Sequence, residues 1–337
     1  MNYQKIGRIG ALLSLALTGL ACTPVISTSV PQPSVSPSVT LLMKASAVTS
    51  QGPLSYKIET YNSSVIGGKR SYGVSLPPGY NENPQQRYPV IFLLHGGSGG
   101  PKSWFDKEKG SALDTIQKLY AEDKLPLSII ITPDGYDQRG TSRYRDPEYI
   151  DGPNGQIVTA VGNELVKVVQ RRYRTLAAPD FWAMGGLSSG GWGALNVGLK
   201  NLNHFSILFS HSGYFQDKSG TQNSPLNIVT KLRPEERKRL RIYLDTGKSD
   251  GYFLEQNRKF QDTLKQLKIS YVMNEFPGAH SWTYWRQHLG DSLTFVGKQF
   301  ERAQDPSSSP KPIYHDAQVP EQSPEQSPEQ VPQNENN

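Results

Sequence analysis

Apolar runs bounded by turn residues recur through the middle of the chain, and most of the later ones are continuous rather than alternating. They predict strands at 56–61 (YKIETY), 71–77 (SYGVSLP), 89–94 (PVIFLL) and 127–133 (LSIIITP). Further strands are predicted at 180–186 (DFWAMGG), 205–211 (FSILFSH), 241–247 (RIYLDTG) and 269–276 (ISYVMNEF). Between the later runs, helical patterns cover about 111–123, 161–173, 189–200, 254–268 and 284–302. Strand–helix alternation of this length predicts an α/β fold, a mostly parallel central sheet with helices on both faces, formed as a single domain. The first two runs have no helix between them and should pair as an antiparallel edge. In such sheets chemistry gathers beyond the carboxyl ends of the strands, which directs attention to the residues just after 94, 133, 186, 211, 247 and 276.

The flanks break this pattern. Residues 1–21 begin with Lys5 and Arg8 and continue as the apolar run IGALLSLALTGLA, too short to span a bilayer, which is the layout of an export signal. The run ends at Cys22, the only cysteine of the 337 residues. TGLAC resembles the lipobox of bacterial lipoproteins, with Gly19 in the place usual for Leu, and implies lipidation of Cys22 and anchoring of the exported protein to the cell envelope. If Cys22 leaves with the signal, the expectation becomes a soluble secreted protein. Residues 22–50 are rich in Ser, Pro, Thr and Val and read as a tether, whereas 304–337 contain PEQSPEQSPEQ and read as a disordered tail. The folded domain is thus expected over 51–303. With one cysteine no disulfide is available to it, so its core alone must hold it. The net charge of +6 concentrates at 231–241 (KLRPEERKRLR) and 170–174 (QRRYR). Glu235 and Glu236 interrupt the first cluster and no nucleic-acid motif accompanies either, so both read as solvated faces of mixed charge and nucleic acid is not an expected partner.

Two serines share the frame G-x-S-x-G, Ser98 in GGSGG and Ser188 in GLSSG. Ser188 follows a strand directly and precedes the helical run SGGWGALNVGLKN, the context in which a tight turn pushes a nucleophile's hydroxyl into the open. Gly186 and Gly190 let the two elements approach, and the helix N-terminus offers N–H groups to a developing oxyanion. Ser98 is followed by Gly99, Gly100 and Pro101, a loop with no helix. That loop suits the second half of an oxyanion hole, with the Gly97 N–H as one donor and the Ser189 N–H, next after the nucleophile, as the other. Ser188 is the expected nucleophile and Ser98 a bystander.

A serine needs a base, and a histidine needs an orienting carboxylate. His280, in PGAHSW after the last strand, is the expected base, with His211 at a strand end as the weaker candidate. The loop YLDTGKSD offers Asp245 and Asp250; Asp245 suits fixing the turn, and Asp250, farther out with reach toward His280, is the expected acid. The order Ser188, Asp250, His280 is that of the α/β-hydrolase fold.

Over about 55–300 the chain resembles the esterase branch of that fold, which includes feruloyl esterases, S-formylglutathione hydrolases, enterochelin-esterase-like proteins and the antigen 85 mycolyltransferases. The resemblance rests on SLPPGY (75–80), YPVIFLLHGG (88–97), GGLSSGGWGAL (185–195), SHSGYF (210–215), GKSD (247–250) and PGAHSWTYW (277–285). It implies that Asp250 falls where the esterases carry their acid, while HSWTYW is similar to the mycolyltransferases, which use Glu. Ser189 replaces a usual Met, and His211 stands where a small residue is common and is expected to narrow the pocket.

The expected chemistry is acyl transfer through an acyl-enzyme, with no cofactor and no metal. Trp104, Tyr136, Trp192 and Trp282, with Tyr284 and Trp285, lie on or beside the site loops and are candidates for stacking on a sugar or phenolic acid, or for core packing. Export favours carbohydrate-linked acetyl or feruloyl esters, or siderophore esters, over glutathione thioesters. The alternatives are an acyltransferase to a sugar hydroxyl and an inactive surface-anchored binding protein.

Overall fold

The computed structural model describes residues 52–138, 149–217 and 219–305, and the backbone of 314–315. The expected signal (1–21), Cys22, the expected tether and most of the expected tail lie outside the described residues. β1 (Lys57–Asn62) and β2 (Lys69–Ser75) pair antiparallel, and β2 pairs antiparallel with β4 (Ile129–Pro133). Beyond β4 come β3 (Val90–Leu94), β7 (Trp182–Leu187), β8 (Ile207–His211), β9 (Arg241–Gly247) and β10 (Ser270–Phe276), all parallel. A short hairpin, β5 (Asp151–Gly152) with β6 (Gly155–Gln156), stands apart from this sheet. VIFLL, IIITP and ILFSH are buried at every position, as strands covered on both faces must be.

The helices return antiparallel across the two faces. They are α1 (Ala112–Ala121), α3 (Leu165–Arg172), α4 (Ser189–Lys200), α7 (Tyr252–Gln266) and α8 (Trp282–Gln304). α2 (Ile157–Thr159) runs into α3 through one wide π-type turn, Ala160–Glu164, so this helical stretch starts several residues before the predicted 161. α4 is buried from Ser189 to Leu199; its glycines, alanine and leucines fit a helix enclosed on all sides. α5 (Pro225–Ile228) and α6 (Pro234–Arg239) were not legible in the apolar pattern, and α6 has no buried residue to create one.

The molecule therefore has two poles. The carboxyl ends of the parallel strands and the helix starts meet at one. At the other lie the strand starts and the helix ends; there Phe300 of α8 packs on Phe181, the residue before β7, at 6.4 Å. β1 runs parallel to β4, so Lys57 also lies at this amino pole, as does Gln304. One expectation needs correction. Tyr314–His315, inside the segment expected to be disordered, forms β11, pairing in parallel with Tyr271 and Val272. The open edge of β10 presents unpaired N–H and C=O groups, and this piece of chain satisfies some of them.

Candidate active site

Ser188 stands between β7 and α4 with φ +52° and ψ −123°, a conformation that strains any residue bearing a Cβ. Its N–H donates to the His211 carbonyl (2.9 Å), and its carbonyl accepts from Trp192 N–H (3.0 Å). Gly190 permits the tight turn: a Cβ there would lie 2.3 Å from the His95 carbonyl oxygen and 2.5 Å from that of Leu94.

The loop between β10 and α8 brings His280 to this serine, with Nε2 2.8 Å from Ser188 Oγ. His280 Nδ1 lies 3.0 Å from Asp250 Oδ1. Backbone bonds lace the two loops together, from Lys248 N–H to Phe276 O (2.8 Å) and from Ser249 N–H to Gly278 O (2.9 Å). The Asp250 carboxylate is 1% exposed, whereas the imidazole is 29% exposed. A carboxylate thus faces Nδ1, which fixes the tautomer and leaves the Nε2 lone pair toward the hydroxyl. Phe253, one turn beyond Asp250, lies flat on the His280 ring (3.9 Å, 21°), and Trp285 meets it edge-on (4.8 Å, 88°). Sequence reasoning missed the part played by Phe253, whose only signal is its place three residues after the acid.

The glycine loop presses against the nucleophile: a Cβ on Gly96 would fall 2.6 Å from Leu187 Cδ1 and 3.3 Å from Ser188 Cβ. Gly99 N–H donates to Gly96 O (3.0 Å), closing a turn with exposed Gly97 and exposed Ser98 (φ +59°) at its tip. Ser189 is buried in the first turn of α4. His95 holds the loop from behind, its Nε2 accepting from Gly135 N–H (3.1 Å) and its Nδ1 donating to Gly96 O (2.9 Å). Burial pushes the His95 pKa down from its ordinary value, so the ring is held neutral.

The alternative base and acid meet each other instead. His211 Nδ1 lies 2.8 Å from Asp245 Oδ2, both side chains fully buried. His211 Nε2 lies 3.0 Å from Ser292 Oγ, and Tyr284 OH donates to Asp245 Oδ1 (3.1 Å). The His211 ring therefore points into the core, and the expectation that it narrows the pocket is corrected. Desolvation and the Asp245 charge together push the Tyr284 pKa far up. Of the candidate substrate aromatics, Trp104 and Trp192 are fully buried, their indole N–H groups donating to Leu94 O (2.9 Å) and Asn223 O (2.8 Å). Tyr136 is buried against His95 (5.1 Å). Trp282 is half-buried and bridges Trp104 (5.7 Å) and Trp285 (5.5 Å). Trp104 and Trp192 thus belong to the core that supports the site.

The fold is that of the α/β-hydrolase class, and it sets a serine, a histidine and an aspartate within hydrogen-bond reach at the strand ends. A family model described as "Putative esterase" matches residues 63–296, well over half of the chain, and the chain belongs to that family. An acetyl esterase of Caldicellulosiruptor saccharolyticus is 25% identical over 238 residues, 62% of this chain and 83% of that protein. A solved ferulic acid esterase covers 74% of the chain and all of its own, with TM-score 0.68 and 25% identity. The ferulic acid esterase of Anaeromyces mucronatus, solved with ferulic acid, has TM-score 0.56 at 19% identity over 76% of this chain and 93% of its own. A Corynebacterium glutamicum protein is 23% identical over 66% of this chain, and the chain spans just over half (56%) of that relative's length.

Proposed function

We propose that this chain is an exported serine esterase that cleaves carbohydrate-linked acetyl or feruloyl esters through an acyl-enzyme. The observation that carries the reading is the continuous relay from Ser188 Oγ to His280 Nε2 and from His280 Nδ1 to Asp250, set at the strand ends of an esterase-family chain. His280 takes the Ser188 proton as Oγ attacks the ester carbonyl. The N–H groups of Ser189 and Gly97 receive the oxyanion of the tetrahedral intermediate. His280 then returns the proton to the departing sugar oxygen, and water, activated by the same ring, releases the acid and restores Ser188. The acetyl and ferulic acid esterases among the similar proteins support the substrate class.

Labelling by a fluorophosphonate probe tests the nucleophile: the native protein should label, Ser188→Ala should not, and labelling that survives the substitution overturns the assignment. A bulky residue at Gly97 should cripple turnover if that N–H serves the oxyanion. Incubation with feruloylated and acetylated xylo-oligosaccharides, with and without an acceptor sugar, tests the substrate. Free acid as the sole product supports hydrolysis; acyl transferred to the acceptor sugar would make the protein an acyltransferase. We assign lipidation to Cys22, tested by incorporation of labelled palmitate in cells and its loss in Cys22→Ser.

A further inference from the structure

The amino pole, opposite the site, carries charge that the fold does not use. Between Lys231 and Arg241 there are six cations (Lys231, Arg233, Arg237, Lys238, Arg239, Arg241) against two carboxylates (Glu235, Glu236), a net of +4. Both carboxylates are occupied by a single residue, Arg233, which pairs with Glu235 at 3.0 Å and Glu236 at 2.8 Å and closes the capping box of α6. Among the described residues Arg239 reaches only Asp180, at 3.6 Å with both side chains more than half exposed. Among the described residues no carboxylate lies within 4 Å of Lys231, Arg237, Lys238 or Arg241. α6 buries nothing, so its packing does not account for the charges it presents.

These cations surround open space. A cleft of about 370 Å³ is lined by Lys238, Arg239, Arg241 and Arg302 against two carboxylates, Asp180 and Asp305, an excess of two positive charges. A neighbouring cleft of about 330 Å³ shares Arg239 and adds Lys200 and Arg233. Arg241 is half-buried and spends one nitrogen on the carbonyls of Lys238 and Leu240, both at 2.7 Å. Burial and the nearby Arg302 charge hold its pKa below the usual guanidinium range, and the Asp180 charge offsets them only in part. Lys200, Lys265 and Arg302 in the last turns of α4, α7 and α8 complement helix dipoles. A six-residue helix has little dipole to complement, so this reason does not extend to the cations of α6 and its flanks.

We propose that the amino pole is a docking face for an anionic lipid bilayer, with phosphate headgroups seated against the Lys238, Arg239, Arg241 and Arg302 cleft. Several shallow cationic seats on an open face fit an array of headgroups better than one small anion. Position supports the same occupant: β1 begins at Lys57 and α8 ends at Gln304 at this pole, while Ser188 and His280 lie at the other. Docking there leaves the ester site facing away from the bilayer.

The test measures partition of the full chain onto phosphatidylcholine vesicles with and without phosphatidylglycerol, at low and high salt. The native chain should prefer the anionic vesicles, and salt should erase the preference. Lys231→Gln/Lys238→Gln should lower the preference by roughly fivefold per cation while ester turnover stays unchanged. Lys102→Gln/Lys107→Gln, at the carboxyl pole, removes the same net charge and should leave the preference intact. If both pairs lower it equally, or if neither does, the proposal is overturned. Lipidation at Cys22 is read separately, from binding to the uncharged vesicles, and esterase chemistry from turnover.

Discussion

Two histidine–carboxylate pairs lie within the same few strand ends at almost the same separations, although only the outer one has hydrogen-bond geometry between ring and carboxylate. His280 and Asp250 are 3.0 Å apart and His211 and Asp245 are 2.8 Å apart, and each imidazole turns its far nitrogen to a serine hydroxyl, Ser188 at 2.8 Å or Ser292 at 3.0 Å. They differ in access. The His280 ring is 29% exposed and Ser188 half-buried, whereas His211, Asp245 and Ser292 are fully enclosed. Their serines also differ, since Ser292 sits within α8 and donates to Leu289 O (3.0 Å), while Ser188 is held out on a strained turn. A relay of the right lengths is therefore not a catalyst by itself. The outer pair can meet an ester; the inner one ties α8 to β8 and β9 and steadies the His211 carbonyl that holds Ser188.

Substitutions can separate the two pairs. Ser188→Ala should lower kcat by roughly 10⁴-fold or more, read with a chromogenic ester, whereas Ser292→Ala should leave most of the activity. Asp250→Asn should cut kcat by about 10²–10⁴-fold with KM and melting temperature little changed. Asp245→Asn should do the reverse, costing about 1.5–3 kcal/mol of stability, since it replaces the enclosed carboxylate that accepts from Tyr284 OH. In calorimetry that is a fall in Tm on the order of 10 °C. Phe253→Ala, which removes the stack on the His280 ring, should lower kcat by up to about tenfold. Ser98→Ala, at the exposed tip of the glycine loop, should be nearly silent in the same assay.

A third histidine provides the smallest stability effect. His95 has its folded pKa lowered by burial, so below the unfolded value of about 6.5 the unfolded chain binds the proton more readily. This contribution is fully present above that pH and is lost as pH falls below it. His95→Gln should flatten the decline of Tm between about pH 7 and 5, measured by calorimetry.

The sheet was legible because VIFLL, IIITP and ILFSH are uninterrupted apolar runs, and burial on both faces is their simplest reading. Ser188, His280 and Asp250 were legible because strand–turn–helix context and strand ends confine where such groups can stand. Side-chain direction was not. Nothing in FSILFSH or YLDTGKSD says that His211 and Asp245 turn toward each other, because that depends on Tyr284 and Ser292 arriving from α8. Trp104 and Trp192 sit in site loops by sequence yet face inward, each drawn to a backbone carbonyl that only the folded chain provides. The pairing of Tyr314–His315 with β10 was hidden for the same reason, since a two-residue strand has no periodicity of its own.

The backbone of Ser188 carries a consequence for lineages rather than for single molecules. At φ +52° a serine costs on the order of 1–3 kcal/mol that a glycine would not. The fold alone would accept glycine at position 188; the hydroxyl is retained by the chemistry proposed for it. In a descendant released from that chemistry, drift should reach this codon early, and the protein should become harder to melt as it falls silent. Glycine after β7, with the rest of the sheet intact, would then mark a retired member of the lineage before any assay is run.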